Sequence, residues 1–102
     1  MEWYNYLACF FAGAFLANAV PHFVHGISGD KFPSPFAKPP GIGLSSALTN
    51  VLWGLFNLII GFLLFNAGNI STLQPLTWIL LFAGAAVMSI MLSINFQKKD
   101  KE

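Results

Sequence analysis

The sequence predicts an all-α integral membrane protein: three transmembrane helices with an ordered Pro/Gly/Phe-rich loop between the first two. Two observations carry this. First, the 102 residues are 56% hydrophobic and only 9% charged, against roughly 25% charged in an ordinary soluble domain. Second, the charges are segregated. Apart from Glu2 they form one cluster of Asp30, Lys31 and Lys38 and another from Lys98 to Glu102, so no Asp, Glu, Lys or Arg lies between Trp3 and Gly29 or between Pro39 and Gln97. Uncharged apolar runs of about 18 residues or more are long enough to cross a bilayer. A single membrane domain of residues 1–102 accommodates three, at about 3–25, 44–65 and 76–96.

The first span opens with Trp3, Tyr4 and Tyr6, the side chains that favour a membrane–water interface. Ala8, Ala12, Gly13, Ala14, Ala17 and Ala19 keep it thin, which lets another helix approach. Pro21 lacks a backbone donor and is expected to kink or end the helix. Ala17-Asn18-Ala19 has the form of a signal-peptidase site, but the n-region carries no Lys or Arg, so the span is expected to stay. Cys9, the lone cysteine, has no intrachain disulfide partner.

The connection at 26–43 holds Phe32-Pro33-Ser34-Pro35-Phe36 and Lys38-Pro39-Pro40-Gly41. Each proline biases its predecessor towards extended backbone, so these segments are not helical. Phe32 and Phe36 are expected to fold back onto the bundle or dip into the headgroup region. The second span follows, with Ser45 or Ser46 capping its first turn. Asn66-Ala67-Gly68-Asn69 stops it, and Ser71 to Pro75 supplies the next start signal. In the third span Ala85, Ser89 and Ser93 form a row of small residues that predicts a packing face. Residues 97–102 form a charged tail.

With three spans, the first loop and the tail share a side, and together they hold all five lysines. The positive-inside rule then places both in the cytoplasm and the N-terminus outside, in an inner membrane of bacterial type. Trp3, Tyr4, Tyr6 and Trp78 fall on the outer side. A net charge of +1 offers no basic footprint for nucleic acid.

Three groups of residues stand out as candidates for function. Asn50, Gly54, Asn57 and Gly61 recur at i, i+4, i+7 and i+11, on one helical face. That face is a helix–helix seam, with amides bonding across it, or a polar lining for a ligand or pathway. Asn18, His22 and His25, at i, i+4 and i+7, share a face if the helix survives Pro21. The two histidines are structural or gating residues bonded to loop backbone or to Asn50, ligands of haem or a divalent metal, or acid–base groups. A zinc site needs three or four ligands, and no Cys or Glu lies near them. Lys38, Gly41, Gly43, Ser45 and Ser46 place glycines, hydroxyls and a helix start after a lysine, which suits either a lipid phosphate or simply a capped tight turn.

No nucleophile–base–acid set is present, and enzymatic activity stays open without being favoured. The favoured function is a non-enzymatic membrane module that binds a lipid or small ligand, or supports a larger complex, through Asn18, His22, His25, Asn50 and Asn57. The alternatives are an oligomeric transporter or channel subunit and a haem- or metal-dependent enzyme using His22 and His25. Membrane lipids are the expected partners, together with further copies of the chain or a larger membrane complex, because three spans enclose little interior.

Overall fold

The computed structural model describes residues 2–100. It contains three long helices: α1 (Trp3–Ile27), α2 (Ala47–Ala67) and α3 (Pro75–Phe96). At 1.5 Å per residue they are about 37, 31 and 33 Å long, and each is long and apolar enough to cross a membrane. Such a set is consistent with a multi-pass membrane protein. The molecule measures 46 × 23 × 19 Å, close to the depth of a bilayer with its headgroups, about 40–45 Å.

Helix α1 is the central element. Both α2 and α3 pack along it and have few contacts with each other. It passes through Pro21 and continues to Ile27, so the proline does not end the helix. Ala17 loses the donor that residue 21 would have supplied. At its start, the Glu2 amide donates to Asn5 Oδ1 at 3.0 Å. The Asn5 amide nitrogen in turn donates to the Ala67 carbonyl at 2.8 Å, fastening the start of α1 to the end of α2.

Helix α2 begins three residues later than the sequence predicts. Leu44 and Ser45 (β2) are extended and pair antiparallel with Phe32 and Pro33 (β1), Phe32 opposite Ser45 and Pro33 opposite Leu44. Ser46 is then the cap, its hydroxyl accepting from the Thr49 amide at 3.1 Å. This short ladder, which with a single bridge between Ser71 and Gln74 is the departure from an all-α fold among the described residues, folds the loop back against the helices. Phe32 is buried as expected, whereas Phe36 stays 64% exposed.

The interior is built from small and polar side chains. The buried residues of α2 are Asn50, Gly54, Asn57 and Gly61, the face that helical periodicity selects, and it forms the seam with α1. A Cβ on Gly54 would lie 2.8 Å from the Phe23 backbone nitrogen, so the two backbones are nearly in contact there. On the other side of α1, a Cβ on Gly84 would collide with the Phe10 carbonyl. Bulky apolar side chains point outward instead: Leu48, Phe62 and Phe82 are each more than 60% exposed. Amides inside and leucines outside is the arrangement that a hydrocarbon solvent favours.

Of the Ala85, Ser89 and Ser93 row, Ala85 alone belongs to the α3 packing face, its backbone nitrogen 2.8 Å from where a Cβ on Gly13 would lie. Ser89 and Ser93 are exposed, and the buried residues of α3 are Thr77 and Gly84. Small residues mark an interface only where a partner backbone arrives, and α1 arrives at Gly84 and Ala85, not at Ser89 or Ser93. Thr77, which the sequence did not single out, bonds the turn before α3: its hydroxyl donates to the Gln74 carbonyl at 2.7 Å and accepts from the Ser71 amide at 3.1 Å.

Cys9 is fully buried in the α1–α2 seam, its thiol 3.4 Å from the Gly68 carbonyl. It is an intrinsic reporter of that seam. A membrane-permeant maleimide is expected to leave the folded chain unmodified and to label it only at the rate at which α1 and α2 separate. Rapid labelling under native conditions would contradict the seam.

Candidate functional site

At the loop end of the bundle α1 and the 28–46 connection converge on Asn50 of α2. This side chain is 0% exposed. Its amide nitrogen faces three carbonyls, those of Phe32 at 2.9 Å, Ser46 at 3.0 Å and Ser45 at 3.3 Å. Three acceptors on one side fix the orientation of the amide, because only its NH₂ can donate. Oδ1 therefore faces His22 Nδ1, at 2.8 Å. The ring must supply the proton, so neutral His22 carries hydrogen on Nδ1 and a lone pair on Nε2. Of the roles that the sequence left open for this histidine, a bond to Asn50 is the one the structure displays.

His22 is 3% exposed and boxed by aromatic edges, with ring centroids of Phe32, Phe96 and Trp53 at 5.6, 6.0 and 6.3 Å. One turn away, the Asn18 amide donates to Asn57 Oδ1 at 3.0 Å, and the Asn57 amide donates to the Trp53 carbonyl at 2.7 Å. Asn57 is fully buried and serves the seam. Asn18 is partly exposed, and its Oδ1 is not used by another protein group among the described residues.

A cleft of about 300 Å³ opens between the helices and the loop. Asn18 and His22 line it from α1, Trp53 from α2, Leu92, Asn95 and Phe96 from α3, and Pro33, Ser34, Pro35, Pro40 and Gly41 from the connection. No Asp, Glu, Lys or Arg is among these residues. Trp53 contributes a further feature: its indole Nε1–H is buried and has no acceptor among the described residues, an uncommon condition for a native donor. Among the residues lining the cleft, one lone pair (His22 Nε2), one buried donor (Trp53 Nε1) and an amide oxygen (Asn18) are unengaged by other described residues.

His25 belongs elsewhere. Its ring stacks on Phe32 at 4.2 Å and 10°, on a different cavity that also borders Asp30, Lys31, Lys99 and Asp100. Its Nδ1 lies 3.5 Å from Asp30 Oδ2. The two histidines thus touch the same phenylalanine but line separate hollows. Among the described residues no group of three His, Cys, Asp or Glu side chains assembles around either.

The suggested anion cradle is largely engaged within the loop. The Gly41 amide donates to the Ser34 carbonyl at 3.0 Å, and the amides of Ile42 and Gly43 donate to the Pro39 carbonyl at 3.1 and 2.8 Å. The hydroxyl of Ser45 is buried against that of Ser34 at 2.6 Å, and Ser46 caps α2. Lys38 is exposed and joined to Pro39 by a cis peptide. These residues act chiefly to shape the loop, and through it the wall of the cleft.

The tail of α3 closes the site. Phe96 packs on Phe32 at 4.8 Å, and the Asp100 amide donates to the Ile42 carbonyl at 2.8 Å. Lys101 and Glu102 lie outside the described residues. Sequence reasoning missed Trp53, Ser34 and Phe96. Trp53 could have been found, since it follows Asn50 by three residues and precedes Asn57 by four, next to the polar face. Ser34 and Phe96 reach the cleft only through tertiary folding.

Compared with protein-family models, curated proteins and solved structures, the chain matches none of them.

Proposed function

We propose that this chain is a small multi-pass membrane module, non-enzymatic, that binds an uncharged polar ligand or lipid head in the cleft between His22 and Trp53. The observation that carries the reading is the pairing around one cleft of a histidine whose tautomer is fixed by Asn50 with a buried indole N–H that has no acceptor among the described residues. A ligand bearing both a hydroxyl and a carbonyl would satisfy both at once. The amides of Asn50 and Asn57, buried in hydrogen bonds of their own, hold the wall in place.

The test is a titration of the chain in detergent micelles with glycerol monoacetate, following the indole proton resonances. A saturable shift at Trp53, with Trp3 and Trp78 unmoved, is the expected result. Trp53→Phe is expected to leave thermal stability unchanged or slightly raised, because it deletes an unpaired buried donor, and to weaken binding by about fivefold, one net hydrogen bond. Unchanged binding in Trp53→Phe would overturn the reading.

Orientation in the proposal follows the lysines: loop and tail in the cytoplasm, N-terminus outside. The proximity of the loop to the α3 end supports it, since both lysine clusters lie at one pole. We further propose that the chain works as a homo-oligomer. Ser89 and Ser93 are exposed on α3 without a hydrogen bond among the described residues, bordering a groove shared with Ala17 and Pro21. Hydroxyls beside a carbonyl freed by proline favour a second helix in lipid.

A further inference from the structure

We infer that the occupant of the cleft is an amphiphile: a single-chain lipid whose uncharged head carries a hydroxyl and a carbonyl, its head between His22 and Trp53 and its chain along α2. This inference rests on the reading of the cleft as a binding site and names what fills it.

Three observations carry it. First, Trp53 is a shared wall. One part of it borders the cleft, and another borders a second hollow of about 420 Å³ formed with Phe36, Thr49, Leu52 and Phe56. A ligand whose chain passes the indole would lie in an almost wholly apolar hollow. Second, that hollow faces outward from a helix long and apolar enough to span a membrane, so acyl chains are the medium from which it would be filled. Phe36 fits this role. It is 64% exposed on the loop yet stands edge-on to Trp53 at 5.3 Å, while Phe56 stacks on Trp53 at 5.7 Å and 17°. The three rings form a trough, and its exposed phenylalanine gains a reason to point away from the bundle. Third, no charged side chain among the described residues lines the head end. A phosphate or ammonium head would lose its hydration there without a counter-charge, which is costly. A hydroxyl donating to His22 Nε2 and a carbonyl accepting from Trp53 Nε1 would instead complete both groups.

The experiment uses the full chain in phosphatidylcholine nanodiscs, with Trp3→Phe and Trp78→Phe leaving Trp53 as the sole indole. A monoacylglycerol brominated at mid-chain is added, and quenching of Trp53 is compared with that from the same mole fraction of mid-chain brominated phosphatidylcholine. The expected result is an apparent enrichment of the monoacylglycerol at Trp53 by about fivefold, the preference that one additional hydrogen bond confers. Phe36→Ala, a change at an exposed ring, is expected to keep the fold and to bring the enrichment down towards that of phosphatidylcholine. Equal enrichment of brominated phosphatidylglycerol would overturn the uncharged head, and full enrichment in Phe36→Ala would overturn the trough. If glycerol monoacetate shifts Trp53 but the brominated monoacylglycerol is no better than phosphatidylcholine, the amphiphile falls and the cleft stands. If neither acts at Trp53, both fall.

Discussion

Asn50→Leu is expected to destabilise the chain by about 3 kcal/mol, because it strands the His22 Nδ1–H and at least one loop carbonyl in a buried setting, at about 1–3 kcal/mol each. Leucine fits the volume, so the loss is one of hydrogen bonding and not of packing. The damage should be local before it is global. With the Phe32, Ser45 and Ser46 carbonyls released, the 28–46 loop loses its anchor to α2, and hydrogen exchange at the Gly41 and Gly43 amides should accelerate while the α1–α3 contact is unaffected. Asn50→Asp should fare no better. A carboxylate still accepts from His22 but can donate nothing to the three carbonyls. The decisive comparison is a double variant. Adding His22→Phe to Asn50→Leu removes the orphaned ring donor, so the pair should cost less than the sum of the single changes. Additive losses in detergent unfolding would show that the two side chains do not act as a unit.

Gly84→Leu is expected to be at least as damaging, for a steric reason. The Cβ position of Gly84 coincides with the Phe10 carbonyl and lies 3.2 Å from the Ala14 amide nitrogen, and neither backbone group can move aside as a side chain would. Overfilling a packed interior costs about 1–3 kcal/mol where side chains can adjust, and a clash with backbone belongs at or beyond the upper end. Since α3 packs chiefly on α1 and hardly on α2, only the contacts at its ends, Trp78 with Phe65 and Phe96 with Phe32, would remain to hold it. The predicted signature is faster proteolysis in the 68–74 connection and a lower midpoint of unfolding in mixed micelles. Phe82→Leu, on the exposed side of the same helix, should change neither. A Gly84→Leu chain as resistant as the native one would refute the close crossing.

The contrast between Asn50 and Ser89 explains how much the sequence disclosed. The α2 face was readable because amides and glycines at helical spacing inside an uncharged run have few uses other than a tight seam. Its partner on α1 was half readable: Asn18 and His22 lay on the matching face, and the bond from His22 to Asn50 was among the roles foreseen. Ser89 and Ser93 misled because small size permits contact without requiring it. The connection was legible as non-helical, but the destinations of its donors were not. Whether the Gly41 and Gly43 amides meet a ligand or the Ser34 and Pro39 carbonyls depends on a closure that residue types do not specify. The cleft was the least legible part, since its walls come from four separate segments and its unpaired indole is recognisable only when no acceptor arrives.

The central position of α1 sets an order for biogenesis. Helices α1 and α2 can complete their mutual bonds as a hairpin as soon as both have left the ribosome, since Asn5 with Ala67, Asn18 with Asn57 and His22 with Asn50 all lie within that pair. Helix α3, synthesised last, adds to the free flank of α1 and brings Leu92, Asn95 and Phe96 to the cleft. The scaffold's bonds can therefore form before the cleft is complete, and a nascent chain halted after α2 would hold a hairpin whose cleft still lacks a wall.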